Sequence, residues 1–189
     1  MEFPAKERQM SDLVDIRATT QKALEGPWAM KMVAPLEPGI VCFDLERMLK
    51  FYVGILGLKL VADVEASQEI GRRIHISPHG YRIVRLQTSY GERIKLIESK
   101  VLPKAHPEYD FVYECQGLAY LTFIISNMNE VLPKLEKENI KVLSDGIVEV
   151  RKGVFALFIK DPEGNFVEIV DYPDIASYRP DIFPPPDSN

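Results

Sequence analysis

The sequence predicts an α+β fold of two paired βαβββ modules, and three observations predict it. The stretch Glu37-Pro-Gly-Ile-Val-Cys-Phe-Asp44, running into helix-like residues 45–52, is matched by Tyr120-Leu-Thr-Phe-Ile-Ile-Ser-Asn127, running into 128–135. Each copy is followed by apolar strand segments, and the last of these are alike: Gly91-Glu-Arg-Ile-Lys-Leu-Ile97 and Gly164-Asn-Phe-Val-Glu-Ile-Val170. A unit of one strand, one helix and three strands cannot bury both faces of its sheet alone, whereas two units can. The seam between the copies makes a central cleft lined by equivalent positions from each half, and function is expected there.

The elements follow in order. Residues 8–25 place Leu13, Ile16, Thr20, Ala23 and Leu24 at helical spacing, and Gly26-Pro27 stops them. They form a helical extension (1–34) outside the repeat, whose apolar face is expected to dock on the body or on a second subunit. The first module (35–100) reads as strand 35–43, helix 44–55 and strand 57–64, then strands 81–88 and 93–98 around a turn at Ser89–Gly91. Residues 65–80 are too polar and broken for a core strand; they are expected to loop near the cleft mouth, with room for a short strand at Arg73–Ile76. A linker (101–116) holds Pro103 and Pro107.

The second module (117–172) reads as strand 118–125, helix 127–139, and strands 140–143, 153–160 and 165–171. Pro133 lies inside its helix, where proline kinks the chain or marks the first turn. The turn Asp161-Pro-Glu-Gly-Asn165 carries the residues a tight reversal needs. The last segment (173–189) holds Pro173, Pro180, Pro184, Pro185 and Pro186 and reads as an extended tail.

Composition narrows the function. At 189 residues and 46% apolar, the chain can bury a sizeable core. A net charge of −5 with no basic run argues against a nucleic-acid partner. No stretch reaches the roughly 18 apolar residues of a membrane span, and the N-terminus lacks a secretory pattern. Two cysteines, Cys42 and Cys115, make neither a disulfide framework nor a zinc motif. The expectation is a cytoplasmic protein without nucleic-acid or membrane partners.

Period-two alternation assigns the faces of each strand. The uniformly apolar sets (Ile40 and Cys42; Val84 and Leu86; Ile94 and Leu96; Leu121, Phe123 and Ile125; Val167 and Ile169) belong under the helices. The mixed sets belong on the concave side and bring Glu37, Arg85, Gln87, Arg93, Lys95, Tyr120, Thr122 and Glu168 there. Polar groups in a half-enclosed surface need partners or a ligand. They can pair with one another and seal the seam, or form a binding or catalytic cleft with convergent polar groups.

Asp44-Leu-Glu-Arg-Met-Leu-Lys-Phe-Tyr-Val-Gly-Ile-Leu-Gly-Leu-Lys-Leu60 resembles the opening of a vicinal oxygen chelate protein, and Asp161-Pro-Glu-Gly-Asn-Phe-Val-Glu-Ile169 resembles the closing motif. That superfamily includes glyoxalase I, bleomycin-resistance proteins, extradiol dioxygenases and methylmalonyl-CoA epimerase. The resemblance covers residues 33–172. It implies βαβββ modules forming a curved mixed sheet around a central cleft, with helices outside. In most of its enzymes a divalent metal chelates two substrate oxygens.

Carried across, the family's four ligand places fall on Glu37, Lys95, Tyr120 and Glu168. Lysine has no lone pair for a metal while charged, and two carboxylates with a tyrosine make a sparse oxygen site. No organic cofactor is called for. A divalent metal, held by Glu37 and Glu168, is the one cofactor the resemblance leaves open, and a further ligand would have to come from His75 or His79.

The altered set suits acid–base chemistry on a small, anionic substrate. Lys95, with Arg85 and Arg93, would hold a carboxylate or enolate oxygen. Glu37 and Glu168 would serve as base and acid, Tyr120 would donate to an oxyanion, and Gln87 and Thr122 would contact the substrate. This points to a lyase or isomerase acting beside a carbonyl. A ligand-sequestering protein of the bleomycin-resistance kind is the alternative, and a metal-dependent glyoxalase or dioxygenase the second. The apolar face of the N-terminal helix favours a homodimer.

Overall fold

The computed structural model describes residues 32–105, 107–114 and 116–183. The predicted helix at 8–25 lies outside them. The described residues from Leu36 onward belong to one compact unit.

The unit holds two four-stranded mixed sheets of the same plan. In the first, β1 (Gly39–Cys42), β2 (Lys59–Ala66), β3 (Tyr81–Gln87) and β4 (Arg93–Ser99) lie in the order β1-β4-β3-β2. In the second, β5 (Tyr120–Ile125), β6 (Val148–Arg151), β7 (Val154–Lys160) and β8 (Phe166–Asp171) lie in the order β5-β8-β7-β6. The first strand of each runs parallel to the last, and the other pairs are antiparallel. The register equates the two halves: Gly39 pairs with Lys95 as Thr122 pairs with Glu168.

A helix follows the first strand of each module. Helix α1 (Leu45–Leu49) opens on the Asp44 carboxylate, which accepts from the Arg47 backbone N–H, and widens into a π-helical turn at Lys50–Ile55. Helix α3 (Met128–Lys137) carries Pro133 within it. Leu45, Met48 and Phe51 of the first and Met128 and Leu135 of the second are buried in one core with Val84, Leu86, Leu96, Leu157, Ile159, Val167 and Ile169. Of these, Val84, Leu86, Leu96, Val167 and Ile169 are residues that alternation assigns to the helix side. Cys42 joins this core, and burial pushes its thiol up to about 12.

Three features depart from the sequence reading. Within 65–80, residues Gln68–Arg73 form helix α2, capped by the Ser67 hydroxyl, and no strand forms at 73–76. The predicted strand at 140–143 is a single bridge, Val142 to Ile159, and the sheet strand is β6 at Val148–Arg151. The residues after β8 are not wholly extended: Ile175–Tyr178 form a helical turn (α4), and Tyr178 stacks on Tyr172 at 3.9 Å. No helix among the described residues is long and apolar enough to cross a membrane.

Candidate functional site

The modules are joined where the first helix meets the turn at 161–165. Asp161, buried at 4% exposure, accepts hydrogen bonds from the backbone N–H groups of Glu163 and Asn165, from Asn165 Nδ2, and from the Tyr52 hydroxyl at 3.0 Å. Burial pushes the Tyr52 hydroxyl far above its ordinary range, with Asp161 adding to it, so it stays a donor. Glu163 accepts from the backbone N–H of Phe43 and of Asp44, both at 2.7 Å, placing a carboxylate at the start of α1 where the helix dipole favours it. These residues fasten module to module.

On the other side of the first sheet lies a cationic cluster. Lys95 Nζ stands 3.0 Å from Glu37 Oε2, and Arg93 stands 3.6 Å from Glu37 Oε1. Arg93 Nε also donates to Gln87 Oε1 at 2.7 Å. Arg85 sits beside Lys95 across β3 and β4 and forms no ion pair within 4 Å among the described residues. The hydrogen bond from Lys95 holds the Glu37 carboxyl below its ordinary range, and the charges of Lys95, Arg93 and Arg85 add to this. Three cations surround the one Glu37 carboxylate, which leaves an excess of two positive charges around it.

The equivalent face of the second module is different. Thr122 Oγ1 donates to Glu168 Oε2 at 2.7 Å. Tyr120 packs edge-on against Phe158 at 5.4 Å and remains exposed. One row further, Lys160 lies over the Phe166 ring and donates to the Tyr109 carbonyl in the linker. An open hollow of about 760 Å³ lies there, lined by Glu108, Tyr109, Asp110, Tyr113, Glu114 and Lys160.

The eight expected residues therefore form two groups. Glu37, Arg85, Gln87, Arg93 and Lys95 share the first sheet, and Tyr120, Thr122 and Glu168 share the second. No hydrogen bond or ion pair between described residues links the groups. Neither Asp161 nor Glu163 was singled out from the sequence beyond its place in a turn, because a contact 109 to 120 residues away leaves no local trace.

The four ligand places do not fit a divalent cation. The ammonium of Lys95 already occupies the second place and neutralises the carboxylate at the first, and a cation there repels a metal. Among the described residues no three His, Cys, Asp or Glu side chains converge, so His75 and His79 bring no fresh ligand set.

The model of the Glyoxalase/Bleomycin resistance protein/Dioxygenase superfamily matches residues 32–169. The chain belongs to that superfamily. No curated protein matches. Among solved structures, a glyoxalase family protein from Bacillus cereus superposes with a TM-score of 0.66 at 18% identity, covering 77% of this chain and 98% of its own. The trypanothione-dependent glyoxalase I of Leishmania major superposes with a TM-score of 0.56 at 19% identity, covering 82% and 96%. A glyoxalase/bleomycin resistance protein/dioxygenase domain from Frankia superposes with 0.56 at 15%, covering 75% and 93%. At these identities the likeness speaks for the fold.

Proposed function

We propose that this chain is a glyoxalase-like enzyme that removes a proton from the carbon beside a carbonyl of a small oxygenated acid, leading to isomerisation or elimination. The observation that carries the reading is the excess of two positive charges around Lys95, where the superfamily fold would otherwise place metal ligands. Arg85 and Arg93 receive the substrate carboxylate. Glu168 takes the proton, and the electron pair of the broken C–H bond moves onto the carbonyl oxygen. Lys95 and the Tyr120 hydroxyl stabilise that enolate oxygen, a kind of contact worth on the order of 10²–10³ in rate. Where the α-carbon bears a hydroxyl, passage of its proton to the enolate oxygen and return of the abstracted proton to the former carbonyl carbon complete an isomerisation; departure of a β-substituent completes an elimination. Glu37, held anionic by its cationic neighbours, positions Lys95 rather than exchanging protons itself.

The test is α-proton exchange into deuterated water, followed by NMR, across a panel of 2-oxo and β-keto acids. Exchange on at least one acid is expected, and a panel with none contradicts the reading.

A second reading is sequestration of a ligand without turnover. The aromatic wall of Tyr120 and Phe158 on the second sheet, together with a Glu37 already neutralised on the first, favours it. Glu168→Gln separates the two: loss of exchange with affinity retained supports the enzyme, and unchanged behaviour supports the binder.

A further inference from the structure

The site face of the first sheet is not uniformly polar. Cross-strand register lays it out in rows: Lys59, Gln87 and Arg93; then Ala62, Arg85, Lys95 and Gly39; then Val64, Ile83, Ile97 and Val41; then Ala66, Tyr81 and Ser99. The third row is wholly apolar and lies roughly 7 Å beyond the Lys95 row, two residues along each strand. Its outer members stand up into solvent, Val41 at 51% and Val64 at 49% exposure, while Ile83 between them is sunk to 8%. Ile83 belongs to neither of the buried core clusters. Exposure thus falls from the edge strands to the middle of the row, the profile of a shallow trough.

The trough has an end wall. Helix α2 packs Gly71 against the Tyr81 ring, and Ser77 Oγ meets Ser99 Oγ at 3.1 Å on the same face. A Cβ at Gly71 would fall 2.5 Å from the Ser77 carbonyl oxygen, so this glycine is needed for the close approach. The wall stands roughly 13 Å from Lys95, four strand residues away.

The trough also has an entrance. Gly39 lies in β1 opposite Lys95, in ordinary strand backbone rather than the left-handed region. Glycine weakens a strand, and it often marks a bulge, a tight bend or a place where a ligand or another backbone approaches closely. A Cβ here, in the cationic row, would meet a single neighbour within 4 Å, Ile97 Cδ1 of the apolar row at 3.3 Å. The equivalent position of the second module is filled by Thr122.

We infer that the substrate is a monocarboxylic acid with an apolar tail, its charged head on Arg85, Arg93 and Lys95 and its tail passing Gly39 into the trough of Val41, Ile97, Ile83 and Val64. This rests on the anion-binding reading of the same site and adds the class of acid. A second carboxylate at the far end finds no cation in the apolar row, so dicarboxylates are disfavoured.

Calorimetric titration of the full chain with straight-chain 2-oxo acids, from pyruvate to 2-oxooctanoate, tests it. Affinity is expected to rise by up to about fourfold for each methylene buried, then level off at the end wall. 2-Oxopentanoate is expected to bind at least tenfold more tightly than 2-oxoglutarate of equal chain length. The ratio of long-acid to short-acid affinity is expected to collapse in Gly39→Val, which blocks the entrance, and in Val64→Asn, which wets the rim. The second variant serves if the first does not fold. Binding of all acids without dependence on length overturns the inference while leaving the anion site standing, as does length dependence that survives in a folded variant. Binding of no acid at any length overturns the anion-binding reading and the inference together.

Discussion

The two modules present the same frame with opposite chemistry. Gly39 faces Lys95 in the first where Thr122 faces Glu168 in the second. The first module gathers cations around a neutralised carboxylate. The second keeps one carboxylate, held by a hydroxyl and flanked by aromatic rings. Duplication fixes where side chains stand, because the sheet register is shared. Divergence at those positions gives one half an excess of positive charge and the other a hydroxyl-bonded carboxylate; on the proposed reading the first holds the substrate and the second carries the reactive group.

If that division is right, the largest effect belongs to the second module. Glu168→Gln is expected to lower the exchange rate about 10²–10⁴-fold, the ordinary range for loss of a general base, with substrate affinity within a few-fold of wild type. A change confined to affinity would move Glu168 to the holding side. Removing the charge on the first module sharpens the comparison from the other direction. Lys95→Met is expected to weaken acid binding and lower the exchange rate by about 10²-fold; steady-state kinetics read both. A variant that binds and turns over normally would leave the cationic cluster without a role.

A third substitution addresses the joint rather than the site. Tyr52→Phe removes the buried hydrogen bond to Asp161 and is expected to cost about 1.5–3 kcal/mol in denaturant unfolding. Tyr120→Phe, on the exposed face, is expected to cost less than about 0.5 kcal/mol.

The smallest effect is a pH dependence. The Glu37 carboxyl is held below its ordinary value of 4.5, chiefly by Lys95. A carboxyl depressed in the folded state stabilises above its unfolded value and loses that contribution as pH falls through the folded one. The stability difference between wild type and Glu37→Gln should be constant above about pH 4.5 and shrink below it. A difference that grows as pH falls would mean Glu37 is not held by cations.

The parts of this picture legible in the sequence share one cause, which is strict alternation along strands. It placed Lys95 with Arg85 and Arg93, and Thr122 with Glu168, on the faces they occupy. Helix α2 escaped because Gln68-Glu-Ile-Gly-Arg-Arg73 has too few apolar residues to show a helical period, although Ser67 ahead of Glu69 is a capping signal. Strand β6 hid in an exposed edge; the alternation Val148-Glu-Val-Arg151 before Lys152-Gly153 was its only mark. The Tyr52–Asp161 bond was out of reach because it joins the opening motif to the closing one across the core. The two motifs that carry the family resemblance thus touch each other through Tyr52 and Asp161, and that contact serves the fold.

The central claim is that the Lys95 ammonium stands in place of a metal, and the most direct test is elemental analysis of protein purified without chelator, with Lys95→Glu alongside. The account predicts a wild type without stoichiometric divalent metal and a variant that acquires it once the cation is exchanged for a carboxylate beside Glu37. Stoichiometric metal in the wild type would contradict it and return the site to chelation chemistry.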